Sequence, residues 1–152
     1  MIGKNVRRRL PDERRAIVHR FEIAGHKGYI ILGLYDDGKP GEIFIAMSKE
    51  GSTLSGLLDN VAVASSLLLQ NGVPLETLVR KFSSTRYEPS GLTKNRCLPI
   101  ATSITDYIFR WLGLKFLSLE ILREIGVVTK CHECHKVITH DGEIYPCISC
   151  VI

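Results

Sequence analysis

No run of about 18 uncharged apolar residues occurs in this 152-residue chain, so no membrane span is expected. No apolar signal segment follows the early N-terminal charges, which makes a cytoplasmic protein the expectation. No internal repeat of useful length is visible. The chain also lacks a Gly-x-x-x-x-Gly-Lys-[Ser/Thr] phosphate loop, a Ser-His-Asp arrangement and a His-Glu-x-x-His helix. With none of these sets present, a free-standing enzyme is not expected. Aromatic residues are few near the basic N-terminus, so base stacking is not provided there.

What is present is distinctive at both ends. Residues 1–20 hold Lys4, Arg7, Arg8, Arg9, Arg14, Arg15 and Arg20 against Asp12 and Glu13, a local balance of +5 in a chain of net charge +4. Such an arm can grip phosphates or an acidic surface, or it can act as a solvated leader. At the other end stand two Cys-x-x-Cys pairs, Cys131/Cys134 and Cys147/Cys150, with 12 residues between them. Each pair can turn two thiolates toward one ion, and a hairpin with its turn at Asp141-Gly142 would close a tetrahedron around Zn²⁺. Four thiolates leave no open position for water, so the metal is expected to be structural. Disulfides or free thiols are the other reading, although disulfides need an oxidising compartment. His132, His135 and His140 read as bystanders to a complete ligand set. A segment so poor in large apolar residues needs the metal to fold.

Between the ends, 45% apolar content is ample for one packed domain. Ile17–Ile23 alternates as a strand, Gly25–Gly28 reads as a turn, and Tyr29–Tyr35 reads as a second, largely buried strand. The turn formers of Asp36–Gly41 lead to a third strand over Glu42–Met47, completing an antiparallel meander. Helical spacing then takes over. Ser52 or Thr53 caps a helix running to about Leu68, Gly72 stops it, and Pro74 opens a second helix to Phe82. After a long connection over Ser83–Pro99, apolar spacing from Ile104 to Phe116 predicts a third helix, and 118–126 adds a short fourth. The fold class is therefore α+β: a small antiparallel sheet packed by three or four helices, followed by a C-terminal zinc ribbon. The expected divisions are a basic arm (1–16), the α+β domain (17–126) and the ribbon tail (127–152).

Two stretches are candidate anion sites. Lys49, Gly51, Ser52 and Thr53 stand where a strand meets a helix start, and Arg86 sits in a hydroxyl-rich loop. A plain capped helix start is the favoured reading of the first, and the second can simply be an ordered loop. Asp59 and Asp106 fall on helices without a partner visible in sequence, His19 and His26 flank the first strand as surface residues, and Cys97 reads as a passive loop thiol. A nucleic-acid- or nucleotide-binding zinc-ribbon protein therefore stays open beside any other function.

Several blocks carry a resemblance: Arg9-Leu-Pro-Asp-Glu-Arg-Arg15, Gly25-His-Lys-Gly-Tyr29, Asp37-Gly-Lys-Pro-Gly-Glu-Ile-Phe44, Lys49-Glu-Gly-Ser-Thr-Leu-Ser-Gly56 and Asp106-Tyr-Ile-Phe-Arg-Trp-Leu-Gly-Leu-Lys-Phe116. Gly72-Val-Pro74, Lys81-Phe82, Arg86 and Glu88-Pro-Ser-Gly91 extend it. Together they resemble the C-terminal region of adenosylcobalamin-dependent (class II) ribonucleotide reductases, a domain related to the TSCPD family. The resemblance implies a role in deoxyribonucleotide metabolism as an appended module or small half that docks on a ribonucleotide reductase catalytic subunit. It implies no cobalamin site and no catalytic barrel in this chain, so reduction by the chain alone is excluded. Tails in that family often pass electrons by dithiol exchange; Cys147 and Cys150 are the candidate pair here, and Cys131 and Cys134 the permanent metal pair. No cysteine follows Cys150, and zinc-bound thiolates shuttle poorly, which favours docking over electron delivery.

Overall fold

The computed structural model describes residues 6–127, together with the backbone of 138–140 and 143–145. Strands β1 (Ala16–Ile23), β2 (His26–Leu34) and β3 (Pro40–Met47) form an antiparallel meander in the order β1-β2-β3. The β1–β2 turn is tighter than Gly25–Gly28. Only Ala24 and Gly25 connect the strands, both at positive φ, a backbone twist suited to two-residue hairpins. Gly28 instead pairs inside the sheet, opposite Phe21 and Met47. A Cβ there would fall 2.6 Å from Met47 Sδ and 2.7 Å from Phe21 Cζ, so a glycine that reads as a turn residue is a packing residue.

Alternation along the strands separates two faces. Ile17, His19, Phe21, Ile23, Ile30, Leu32, Ile43 and Ile45 point toward the helices, and most are fully buried. Each large apolar side chain buried this way contributes about 1.5–3 kcal/mol. Val18, Tyr29 and Phe44 lie on the opposite face and are exposed.

Helix α1 (Ser52–Gln70) packs along β3 and closes that edge of the sheet. The Ser66 hydroxyl accepts from Ile43 N–H at 2.9 Å, and Gln70 Nε2 donates to the Gly41 carbonyl at 3.0 Å. These backbone groups face away from β2 and would otherwise template further strand pairing. The helix start differs from expectation. Gly51 is the N-cap and no side chain caps the helix, while Ser52 and Thr53 lie inside its exposed first turn. By length and hydropathy α1 is apolar enough to cross a bilayer, although Asp59, Asn60 and its serines interrupt any uncharged apolar run. Its outer face exposes Leu57, Val63, Leu67 and Leu68.

Helix α2 (Leu75–Phe82) follows Pro74, which serves as its N-cap. The connection read as one long loop contains β4 (Gly91–Leu92), which pairs with β5 (Ile100–Ala101). Helix α3 (Ile104–Phe116) is capped by Ser103, whose hydroxyl accepts from Asp106 N–H at 2.9 Å. Its buried Ile104, Tyr107, Ile108, Trp111 and Leu112 meet the inner sheet face, Leu58 and Leu78 in one core. Helix α4 (Leu119–Glu124) adds Leu122 to a smaller cluster with Val79 and Val127. Strands β6 (Ile138–His140) and β7 (Glu143–Tyr145) form an antiparallel pair in which His140 opposes Glu143, leaving Asp141 and Gly142 between them in sequence. Cys131, Cys134, Cys147 and Cys150, and the zinc ribbon assigned to them, lie outside the described residues.

A basic cleft beside the free edge of the sheet

Opposite the α1-closed edge, β1 is an edge strand without a long partner among the described residues. A single bridge, Ile23 to Thr93, and an Ala24 N–H bond to the Leu92 carbonyl at 2.8 Å bring residues 93–99 against its end. Asn95 organises that loop. Its N–H donates to Thr93 Oγ1 at 3.0 Å, its carbonyl accepts from Leu98 N–H at 3.1 Å, and its Oδ1 accepts from Cys97 N–H at 2.9 Å. On the third side, α3 presents Tyr107, Trp111, Leu114 and Lys115 at helical spacing. The three elements enclose a cleft of about 660 Å³.

The floor of the cleft is a hydrogen-bonded aromatic group. His19 stacks on Trp111 with centroids 4.5 Å apart, and Phe21 stacks on Tyr107 at 5.3 Å. Because Asn95 Oδ1 is committed to Cys97 N–H, its Nδ2 faces Tyr107 and donates to the phenol oxygen at 3.0 Å. The Tyr107 hydroxyl also lies 2.8 Å from His19 Nε2, donating to the ring or accepting from it according to the imidazole tautomer. Burial pushes the Tyr107 phenol above its ordinary pKa, so it stays protonated at any ordinary pH.

The rim is cationic. Among the described residues, Arg20, Lys94, Arg96 and Lys115 line it together with one carboxylate, Glu22. Lys94 pairs with Glu22 at 3.0 Å and, with Lys27 and Arg20 nearby, holds that carboxylate below its usual pKa. Arg20 and Arg96 make no ion pair among the described residues, unlike Arg8, Arg14, Arg80 and Arg110.

The residues singled out in sequence lie elsewhere. Lys49, Gly51, Ser52, Thr53 and Arg86 are exposed, and none of them lines this cleft. Lys49 stands in the left-handed region, φ 60°, where the chain turns from β3 into α1. Asp106 has partners after all: its carboxylate takes a two-pronged bond from Arg110, at 2.7 and 3.0 Å, and accepts from the Ser84 and Thr102 N–H groups. It is buried and structural, pinning the start of α3 to the loops before it. His19 is half-buried within β1 rather than a surface flank, while His26 opens β2 and pairs with Glu50 at 2.5 Å. Cys97, half-buried, lines the cleft. Much of the basic arm is engaged: Arg7 Nε donates to Gln70 at 2.7 Å, Arg8 lies 4.0 Å over the Tyr35 ring, and Arg14 pairs with Glu42. Helical spacing in sequence placed Tyr107 and Trp111 in the core. The juxtaposition with His19 and Asn95 has no local signal, because it depends on pairing over long sequence separations.

The TSCPD domain profile matches residues 4–116. A vitamin B12-dependent ribonucleotide reductase of Rhodopirellula baltica is 54% identical over 118 residues, which is 78% of this chain and 11% of that protein. The protein of the same name from Streptantibioticus cattleyicolor is 48% identical over 122 residues, 80% of this chain and 20% of its own length. A third, from Bradyrhizobium diazoefficiens, is 46% identical over 113 residues, 74% of this chain and 9% of its length. The chain thus spans between 9% and 20% of these relatives. No solved structure matches it significantly.

Proposed function

The chain belongs to the TSCPD domain family, and from that membership we propose that it is a non-catalytic, zinc-binding accessory module of the class II ribonucleotide reductase type. It docks on a separate reductase catalytic subunit and assists the re-reduction of that subunit's thiols. One observation carries this reading: 54% identity over 118 residues to a protein named vitamin B12-dependent ribonucleotide reductase, of which the matched part is 11%. A module normally embedded in a much longer chain should retain surfaces that the remainder would cover. Two apolar surfaces fit that role: the outer face of α1, with Leu57, Val63, Leu67 and Leu68, and the outer sheet face, with Val18, Tyr29 and Phe44.

The zinc assignment rests on the spacing of the two Cys-x-x-Cys pairs in the sequence. Cys131, Cys134, Cys147 and Cys150 would hold Zn²⁺, which would supply folding energy rather than chemistry. Electron delivery would fall to Cys147 and Cys150 only after the metal has left them, since zinc-bound thiolates shuttle poorly. One thiolate attacks a sulfur of the catalytic disulfide and expels one catalytic thiolate; the second then attacks the first tail sulfur and expels the other catalytic thiolate from the mixed disulfide. Two electrons pass to the catalytic pair, the tail becomes a disulfide, and a cellular dithiol must reduce it again.

Affinity capture from native cells, with zinc and free thiols quantified, tests this reading. Recovery of a reductase large chain, lost in a Val63→Asp/Leu67→Asp variant, is the expected outcome. Capture of nucleic acid alone would replace it with the nucleic-acid reading. Zinc bound tightly by all four thiolates, with no thiol oxidation when catalytic disulfide is presented, would remove the electron-delivery half.

A further inference from the structure

We propose that the cleft between β1, α3 and residues 93–99 is an internal docking site, and that its occupant is the tail of the same chain, residues 128–152. The placement of β7 is the first support. Its backbone lies beside α3, the helix that walls the cleft with Tyr107, Trp111, Leu114 and Lys115. The lining of the cleft is also engaged. His19, Cys97 and Lys115, which all line it, each have a further partner. Three such residues around one concavity point to a segment that lies over it. Reach permits this arrangement: Val127 packs with Val79 and Leu122, and a link of the length of 128–137 can extend about 33 Å.

Charge favours this occupant. The described rim residues include Arg20, Lys94, Arg96 and Lys115 with the carboxylate of Glu22. Residues 138–145 of the tail carry Asp141 and Glu143 and neither lysine nor arginine. Opposite charge steers a segment toward the matching surface. A tether adds to this, because a short flexible link holds the segment at an effective concentration of about millimolar. A second copy of the chain would bring the same residues, but only through a bimolecular encounter. The inference goes beyond the reductase reading and holds whether or not a reductase chain is the partner. Under that reading it adds one step: the tail must leave the cleft before Cys147 or Cys150 can reach a catalytic disulfide.

Full-length reduced protein, as an equal mixture of isotopically light and heavy chains, is treated with a zero-length carbodiimide that joins carboxylates to amines in contact. Mass then separates links within a chain from links between chains. Links from Asp141 or Glu143 to Lys94 or Lys115 within one chain, lost in Arg20→Glu/Arg96→Glu, are the expected result. The single tryptophan, Trp111, lines the cleft and gives a second readout. Its quenching by acrylamide should rise in Arg20→Glu/Arg96→Glu and in Asp141→Lys/Glu143→Lys, and return to the parent level when the two are combined. Arg20 and Arg96 are exposed, so their variant should fold, and circular dichroism checks that it does. Three outcomes overturn the proposal. No link joins the tail to Lys94 or Lys115; such links form only between chains, which would make a second copy the occupant; or Trp111 quenching is the same in parent and both charge-reversed variants. The measurements need no reductase subunit, so they succeed or fail independently of the capture experiment.

Discussion

The two edges of the three-stranded sheet have opposite fates. At β3, α1 lies along the strand and its Ser66 and Gln70 side chains bond Ile43 and Gly41, so the edge is chemically closed. At β1, one bridge to Thr93 holds a loop against the strand end, and the space left over is a cleft with a cationic rim. Closure by a helix consumes hydrogen-bonding groups and leaves only an apolar outer face. Partial closure by a loop keeps polar and charged side chains available. The same sheet is thus sealed by a helix on one side and bordered by a cleft on the other.

Breaking the contrast from the open side should have the largest effect. Asp106 anchors α3, which forms a cleft wall, and its carboxylate and Arg110 are mostly buried. Asp106→Ala is expected to cost about 3–5 kcal/mol by leaving the guanidinium without its counter-charge, measured by denaturant unfolding. On the closed side, Gln70→Ala removes the Gly41 carbonyl's partner and the acceptor of Arg7, and Ser66→Ala strips the Ile43 N–H. Each should cost about 1–3 kcal/mol. It should also raise aggregation, since an open β3 edge invites strand pairing.

A smaller effect compares a tyrosine from each side. Burial raises the phenol pKa of Tyr107 beside the cleft and of Tyr35 beneath Arg8 above 10.0. The folded chain therefore holds these protons more tightly than the unfolded chain does. Below the unfolded value the two states bind equal numbers of protons. As pH rises past it, the unfolded state releases protons first and stability falls. Unfolding free energy measured from pH 8 upward should decline in the alkaline limb, less steeply in Tyr107→Phe and less steeply still in Tyr35→Phe/Tyr107→Phe. The smallest expected effect sharpens the comparison. Arg20→Ser/Arg96→Ser should leave stability within about 0.5 kcal/mol of the parent. A larger loss would show that the rim cations serve folding of the domain rather than docking of the tail.

Much of the architecture is legible in the sequence, because it is written in local periods. The alternation of Ile17 to Ile23 and the spacing of Ile104, Tyr107, Ile108 and Trp111 each set a buried face without reference to the rest of the chain. Gly28 shows where such reading fails: the residue type suggests a turn, but its position is decided by Met47 and Phe21 from neighbouring strands. The helix start fails similarly, since Ser52 and Thr53 have the right chemistry for a cap, yet Gly51 occupies the position. Asp106 was visible on its helix, but two of the four hydrogen bonds to its carboxylate come from loops outside it, the Ser84 and Thr102 N–H groups, and the other two from Arg110 one turn on.

Composition and spacing alone establish an α+β chain with a basic arm and paired cysteines, and ordered sequence blocks carry its family membership. These properties reside in residue types and short intervals, which survive unfolding. The cleft exists only after folding. His19, Asn95 and Tyr107 are separated by as many as 88 residues along the chain, and only the β1 edge, the Thr93 bridge and the docking of α3 bring them within hydrogen-bond reach.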